Sequence, residues 1–189
     1  MGQPKHSLIF PDERSMVSHP IERIRSALSG ISTVHISLRD EDQSFQNPDH
    51  DQIQFTDDSD NYSAQRLDLG PASGLLAAHY RYPTVHWLVI ACDYPLLQVD
   101  DLRHMIDSYE SPLTCFENAS GWPEPLLAIW SPSALQALEK NVQAGITGPV
   151  NTLRSLQTKR LKPLHEQSLL NANTPADWDA ARRTFLLDV

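Results

Sequence analysis

The chain contains 189 residues, of which 40% are hydrophobic and 21% are charged, a balance typical of one globular domain with a substantial core. Its formal net charge of -9 argues against nucleic-acid or anionic-membrane partners, because binding them requires a basic face. The sequence has no apolar run of membrane-spanning length and no signal-peptide pattern at Met1, so we expect a cytoplasmic protein without a membrane partner.

The first part of the chain predicts helices and strands around one long polar segment. Apolar residues at helical spacing predict a helix over residues 21–28, ended by Gly30, and alternation predicts a strand over residues 33–38. Residues 39–68 are rich in Asp, Asn, Ser and Gln, so we interpret them as loops around a short strand at residues 53–55. The glycine-containing segment 70–74 then leads into a helix over residues 75–80.

Residues 85–95 predict a buried strand that ends at a carboxylate. The run 87–92 is apolar and rich in β-branched and aromatic residues, and Pro95 prevents the strand from continuing. In an open α/β sheet the carboxyl ends of the strands border the ligand crevice, so Asp93 is placed where it can hold a cation against phosphate oxygens. Asp93 alternatively caps the turn before Pro95.

The second part of the chain continues the alternation. The pattern predicts a helix at 99–109, a strand at 113–117, a turn at 119–121, an antiparallel or edge strand at 126–130, helices at 133–144 and 150–156, and a strand at 161–164. A last helix begins at Thr174-Pro175, where Asp177 completes a motif close to a capping box. Strands separated by helices, without internal repeats, indicate an α/β fold with a doubly wound, mostly parallel sheet.

Five separated segments resemble one known family. They are MGQPK at residues 1–5 with Leu8 after it, DLGPASGL at 68–75, ACDYPL at 91–96, PEPL at 123–126 and NANTP at 171–175. In this order and spacing they resemble the MobA-like NTP transferases, of the molybdenum cofactor guanylyltransferase type. The resemblance covers nearly all of the chain and implies a single nucleotidyltransferase domain over residues 1–189, with the Rossmann-like sheet of the nucleotide-diphospho-sugar transferases.

This resemblance implies an Mg²⁺-dependent enzyme. It would move a nucleoside monophosphate, most simply GMP from GTP with CTP as the other donor, onto a phosphorylated acceptor such as molybdopterin, and release pyrophosphate. The implied catalytic residues are Lys5, on the donor's phosphates, and Asp93, on the metal. The implied nucleotide-binding residues are Gly2, Lys5, Asp68, Gly70, Pro71 and Gly74, and Glu124, Asn171 and Asn173 would border the active crevice or the acceptor. One carboxylate is chemically adequate, because Mg²⁺ keeps several waters and takes one or two carboxylates besides substrate phosphates.

Each of these residues also has a structural interpretation. Lys5 near a terminus is usually a solvated charge, and Gly70 and Gly74 can simply form a turn and start a helix. Glu124, between two prolines, fits a rigid turn between strands better than a catalytic acid. The asparagines of the NANTP segment fit turn and capping positions as well as active-site contacts. The histidines are scattered singly without zinc spacing, and both cysteines lie in apolar runs, as small buried hydrophobes do.

One departure from the family pattern concerns the phosphate site. In the family the lysine follows a strand and a glycine-rich loop, whereas this chain begins at the methionine that comes after them. Such a loop supplies backbone N–H groups to the anion site, and the first strand of a doubly wound sheet lies in its middle, so two inner edges should be exposed. We hypothesise that the natural protein extends upstream of Met1. This start would then be an internal methionine, chosen by an incorrect gene model or left by shortening of the chain. The competing hypothesis is a shortened and catalytically inactive descendant.

Two other classes of function stay open at this point. The first is a nucleotide-binding or regulatory protein without turnover. The second is a sugar-nucleotide pyrophosphorylase or glycosyltransferase, which shares this type of sheet and would act on a sugar phosphate or a nucleotide sugar. The identity of the acceptor and the oligomeric state do not follow from the pattern.

Overall fold

The computed structural model describes residues 8–28, 30, 33–38, 53–57 and 69–187. Within these ranges helices and strands alternate along most of the chain. The helices are α1 Ser18–Ala27, α2 Pro71–Arg81, α3 Val99–Asp107, α4 Pro132–Gln143, α5 Pro149–Ser155 and α6 Pro175–Leu187, with a short 3₁₀ helix at Glu166–Leu169. The strands are β1 Val34–Leu38, β2 Ile53–Asp57, β3 Trp87–Ile90, β4 Leu113–Glu117, β5 Pro123–Trp130 and β6 Thr158–Leu161.

The strands of the described residues form two sheets. β1 and β2 pair in parallel, and the larger sheet has the order β3-β5-β4-β6. β5 runs antiparallel to both of its neighbours, whereas β6 is parallel to β4, so β3, β4 and β6 share one direction. The α/β sheet is confirmed as a mixed one in which three of the four strands share a direction, and β5 is antiparallel as predicted, although it lies inside the sheet and not at an edge.

Helices cover both faces of the larger sheet. On one face, α2, α4 and α5 pack over a cluster that includes Ala128 and the fully buried Trp130 of β5. On the other face, α3 packs over Leu127 and Ile129 of the same strand, and α1 packs beside α3. Because successive residues of a strand point to opposite faces, one apolar run supplies both clusters. The predicted doubly wound arrangement is therefore confirmed.

The strand predicted at residues 161–164 is displaced in the structure. β6 covers Thr158–Leu161 and pairs with β4 at the edge of the sheet. It carries Lys159, which is ion-paired with Glu110, and Arg160. Leu164, which contributed to the apolar pattern, is exposed. An edge strand with one covered face does not need a continuous apolar run, and its charged side chains discourage pairing with other chains.

Two helix starts show how local sequence sets the element bounds. Before α6, the Thr174 N–H donates to Asp177 Oδ2 at 2.8 Å and the Asp177 N–H donates to Thr174 Oγ1 at 3.2 Å, which confirms the capping box. α4 begins at Pro132, one residue earlier than predicted, because the Ser131 hydroxyl accepts the Ala134 N–H at 3.2 Å and acts as the cap.

The two ends of the described chain meet in an aromatic cluster. Phe10 packs edge-on against His19 of α1 and Trp178 of α6, both at 4.5 Å between ring centroids. His19 also lies 5.4 Å from the Phe185 ring of α6. These contacts hold α1 against α6. In the same described ranges, no helix combines the length and apolar composition needed to cross a bilayer.

Candidate active site

Asp93 lies at the carboxyl end of β3, as the sequence predicts. The ladder continues one residue past the strand, where the Ala91 N–H donates to Leu126 O at 2.8 Å, and the chain then turns. The side chain of Asp93 is partly exposed, and its backbone carbonyl accepts the Ala172 N–H at 2.9 Å. The backbone at Asp93 is therefore fixed by two neighbouring segments of the chain.

Tyr94 and Glu124 form a buried polar pair beside Asp93. Tyr94 is buried, with only 3% of its surface exposed, and its hydroxyl donates to Glu124 Oε2 at 2.8 Å. Burial and the neighbouring Glu124 carboxylate raise the pKa of the Tyr94 phenol far above its usual value, and the charge of Asp93 acts in the same direction. Tyr94 is therefore protonated at neutral pH and donates to Glu124.

The other oxygen of Glu124 is held by Asn118. Asn118 Nδ2 donates to Glu124 Oε1 at 3.0 Å, while Asn118 Oδ1 accepts the backbone N–H groups of Ser120 and Trp122 at 3.0 and 3.1 Å. One asparagine thus shapes the β4–β5 turn and orients the carboxylate. Glu124 was expected in a rigid turn, but it lies within β5, which begins at Pro123. This expectation was wrong because a proline is tolerated at the first residue of a strand and the ladder is irregular just after it.

The NANTP segment reaches the same place from the far end of the chain. The side-chain amide of Asn171 lies beside the Tyr94 hydroxyl and acts to lower the pKa of that phenol, against the larger upward effects, and the Oδ1 atom of Asn171 is buried without a hydrogen-bond partner among the described residues. Asn173 is exposed, and its N–H donates to Asn171 O at 3.1 Å. Asn171 is therefore part of the site, whereas Asn173 lies at its outer side, next to the cap of α6.

The glycine segment starts a helix on the opposite face of the sheet. Gly70 has φ +50°, a conformation that favours glycine, and α2 begins at once with Pro71 at its first position. The prediction that the helix begins at residue 75 was wrong, because Gly74 lies inside α2 and not in a loop before it. α2 packs in the cluster with Trp130, whereas Tyr94 belongs to the cluster of the other face. Gly70, Pro71 and Gly74 are thus not brought against Glu124 or Asn171 by any described contact.

Three of the predicted site residues lie outside the described ranges, namely Gly2, Lys5 and Asp68. Their roles stay predictions. Sequence reasoning missed Tyr94 and Asn118. A single hydroxyl within the apolar run CDYPLL and an asparagine at the start of a tight turn were the available signals, because buried hydroxyl and amide groups need partners.

Carboxylate and amide oxygens dominate the chemistry of this site. No group of three or more His, Cys, Asp or Glu side chains that could hold a metal occurs among residues 8–28, 30, 33–38 and 69–187. The candidate site instead offers the carboxylates of Asp93 and Glu124 and the amide oxygen of Asn171. Oxygen atoms are the ligands that Mg²⁺ prefers, whereas zinc sites use nitrogen and sulfur.

Several known proteins are similar to this chain. It is 36% identical over 113 residues, 58% of its length and 33% of the relative's, to the "Molybdenum cofactor biosynthesis bifunctional protein" of Synechocystis. It is 32% identical over 111 residues, 56% of its length and 54% of the relative's, to the "Molybdenum cofactor guanylyltransferase" of Pseudomonas fluorescens. The chain thus spans between a third and somewhat more than half of the length of these two relatives.

The fold is shared with a solved structure over nearly the whole chain. The crystal structure of molybdopterin-guanine dinucleotide biosynthesis protein A from Archaeoglobus fulgidus superposes with a TM-score of 0.70 at 20% identity, covering 98% of this chain and 92% of that one. This likeness confirms the fold. The model of the MobA-like NTP transferase domain matches residues 1–172, and the chain therefore belongs to the MobA-like NTP transferase domain family.

Proposed function

We propose that this chain is an Mg²⁺-dependent nucleotidyltransferase that moves GMP from GTP onto a phosphorylated acceptor such as molybdopterin and releases pyrophosphate. Membership of the family and the names of the similar proteins support this proposal. The observation that carries it is the convergence of Asp93, Glu124 and Asn171, from three separate segments, at the end of the sheet where β3 stops.

The residues present fit a magnesium ion. Oδ1 of Asn171 is buried without a hydrogen-bond partner among the described residues, and leaving such an oxygen unsatisfied costs free energy. A hard cation would satisfy it, so Asp93 and Asn171 are the residues that we propose to hold Mg²⁺. The bound ion would neutralise charge on the donor's phosphates.

Glu124 is proposed to face the acceptor. Both of its oxygens are oriented by hydrogen bonds of 2.8 and 3.0 Å, from Tyr94 and Asn118, and each oxygen keeps further lone pairs. A carboxylate fixed in this way can accept hydrogen bonds from N–H groups of a ligand without the loss of side-chain entropy that reorientation would cost. Tyr94 contributes by staying protonated, because an ionised phenol would repel Glu124.

The donor nucleotide is proposed to lie on the remaining predicted residues. α2 presents a helix N-terminus behind Gly70 and Pro71, and such ends favour phosphate groups. The full set proposed for the donor is Gly2, Lys5, Asp68, Gly70, Pro71 and Gly74. Phosphoryl-type transfer requires positioning and charge neutralisation more than a protein nucleophile, so this set needs no catalytic triad.

The test is pyrophosphate release by the purified chain with GTP, Mg²⁺ and molybdopterin, with the nucleotide-linked product identified by mass spectrometry. CTP is run in parallel to decide the base. Asp93→Ala should lower kcat/KM by about 100-fold or more, as loss of a preorganised charge at a reaction centre does. Asp100→Ala is the matched control, because Asp100 is exposed on α3 and pairs with Arg103 at 3.2 Å, and its rate should match that of the wild type.

Other results would overturn the proposal in distinct ways. Thermal protection by GTP with no pyrophosphate from any acceptor would indicate a nucleotide-binding protein. Turnover with a sugar phosphate in place of molybdopterin would indicate a pyrophosphorylase. A wild-type rate for Asp93→Ala would remove Asp93 from the mechanism. A cytoplasmic location stays a prediction from the sequence.

A further inference from the structure

A fully buried carboxylate on α3 binds the segment that leads to Asn171. Asp101 Oδ1 accepts the backbone N–H groups of Leu164 and His165 at 2.5 and 3.3 Å. Asp101 Oδ2 accepts the Ser168 hydroxyl at 2.5 Å and lies 3.0 Å from His165 Nδ1. Burial of a carboxylate is costly unless hydrogen bonds replace its water, and here both oxygens are engaged.

Ser168 extends this connection to the segment that follows Asp93. Its hydroxyl oxygen accepts the Gln98 N–H at 3.2 Å while it donates to Asp101. Ser168 is fully buried within the short 3₁₀ helix. The start of α3 and the 3₁₀ helix are therefore joined through one hydroxyl and one carboxylate.

The two joined segments carry the site residues. Asp93 precedes the Gln98 attachment by five residues, and Asn171 follows Ser168 by three. Above this attachment, the Ala172 N–H donates to Asp93 O at 2.9 Å, and Asn171 meets Tyr94. The base and the tip of the paired segments are thus both fixed, and Asp101 and Ser168 form the base of the segment that carries Asn171 to Asp93.

Stability alone does not account for a carboxylate at this position. Apolar residues of similar volume usually stabilise a core as well as buried charges do. The segment 162–165 has no strand or helix in the described structure to take up its backbone N–H groups, and Asp101 captures two of them. A carboxylate can accept these N–H groups, which an apolar residue cannot do, and it thereby fixes the backbone of an irregular segment.

We propose that Asp101 and Ser168 are positioning residues of the candidate active site. They hold residues 164–172 against the loop that carries Asp93. In this position the amide oxygen of Asn171 and the carboxylate of Asp93 can bind the same metal ion. This inference rests on the proposed nucleotidyltransferase function, which it deepens by naming two residues that do not touch substrate.

The first measurement is hydrogen exchange of the unliganded chain. In Asp101→Asn and Ser168→Ala, amides of residues 164–172 should exchange about 10-fold faster or more, because the attachment that limits their opening is lost. Amides of β4 and β5 should keep their wild-type protection. Ser168→Ala removes a single hydroxyl and covers the case in which Asp101→Asn does not fold. Unchanged exchange of residues 164–172 in Ser168→Ala would overturn the inference.

The second measurement separates kcat from KM in the pyrophosphate assay. We expect kcat to fall about 10- to 100-fold in both variants, as it does when supporting contacts of a site are lost, while KM for GTP stays within about twofold. Asp100→Ala, the exposed neighbour, should change neither constant. An active wild type whose Ser168→Ala variant keeps its kcat overturns the positioning role alone. A wild type without turnover overturns the proposed function, and the positioning role falls with it.

Discussion

His19 should make the protein lose stability in mild acid. Burial, followed by the repulsion of Arg23, lowers the pKa of His19 to about 4, although Asp12 Oδ1 lies 3.4 Å from its Nε2 and acts in the opposite direction. The native state therefore keeps His19 neutral, whereas the unfolded chain takes up the proton near pH 6.5. The full difference corresponds to about 3 kcal/mol, of which about 2 kcal/mol should be lost between pH 7 and pH 5. Below about pH 3 this contribution should not fall further, because His19 is then protonated in both states.

The assay is urea unfolding at pH 7, 6, 5 and 4.5, with the free energy of unfolding compared between variants at each pH. His19→Phe removes the titrating group while keeping an aromatic ring between Phe10 and Phe185, so its free energy should fall less steeply than that of the wild type. His86→Ala, which removes a histidine that is exposed at the surface, is the control substitution. Equal slopes for wild type and His19→Phe would refute the reasoning. The loss of stability in acid would then come from the carboxylates, which titrate in both proteins.

Further variants test the packing and the site. Leu138→Ala should lower the free energy of unfolding by about 2–5 kcal/mol, since Leu138 is fully buried on α4, and a loss under about 1 kcal/mol in urea would contradict the described core. Thr174→Ala should cost about 1 kcal/mol through loss of the α6 cap, seen as a lower Tm; Tm equal to that of the wild type would count against the cap. Tyr94→Phe should cost about 1–3 kcal/mol in chemical denaturation, because Glu124 loses a buried donor. Trp122→Ala, which removes only an exposed stacking contact with Arg154 at 4.6 Å, should cost about 1 kcal/mol or less, and a larger loss would show that the indole is part of the core.

The sequence was most informative where local chemistry decides the structure. The turn that places Asp93 just after β3, which ends at Ile90, followed from an apolar run stopped by a proline, and the α6 cap followed from Thr174 and Asp177 at the spacing of a capping box. The bounds of β6 did not follow, because an edge strand with Lys159 and Arg160 has no apolar period to detect. In such strands, pairing with the neighbour decides the bounds.

The candidate site was predictable as single residues but not as an assembly. Asp93 and Asn171 were each expected near the crevice, but their meeting through Tyr94 depends on contacts between residues 77 positions apart. Glu124 was assigned to a turn because its two prolines outweighed the strand pattern, whereas the irregular ladder of β5 accommodates both. Asn118 left no periodic signal, since its role comes from three hydrogen bonds around one turn.

The strand order also determines when the site can form during folding. β4 and β5 are joined by a short turn shaped by Asn118, so this hairpin closes through local contacts and brings Glu124 into place early. Among the described strands β3 pairs with β5 alone, and Asp93 is therefore positioned after the hairpin exists. Asn171 follows β6 and arrives when the chain is nearly complete. A newly made molecule should thus complete the candidate site as one of its last steps, which makes binding of the proposed metal and substrates a stricter indicator of complete folding than secondary structure.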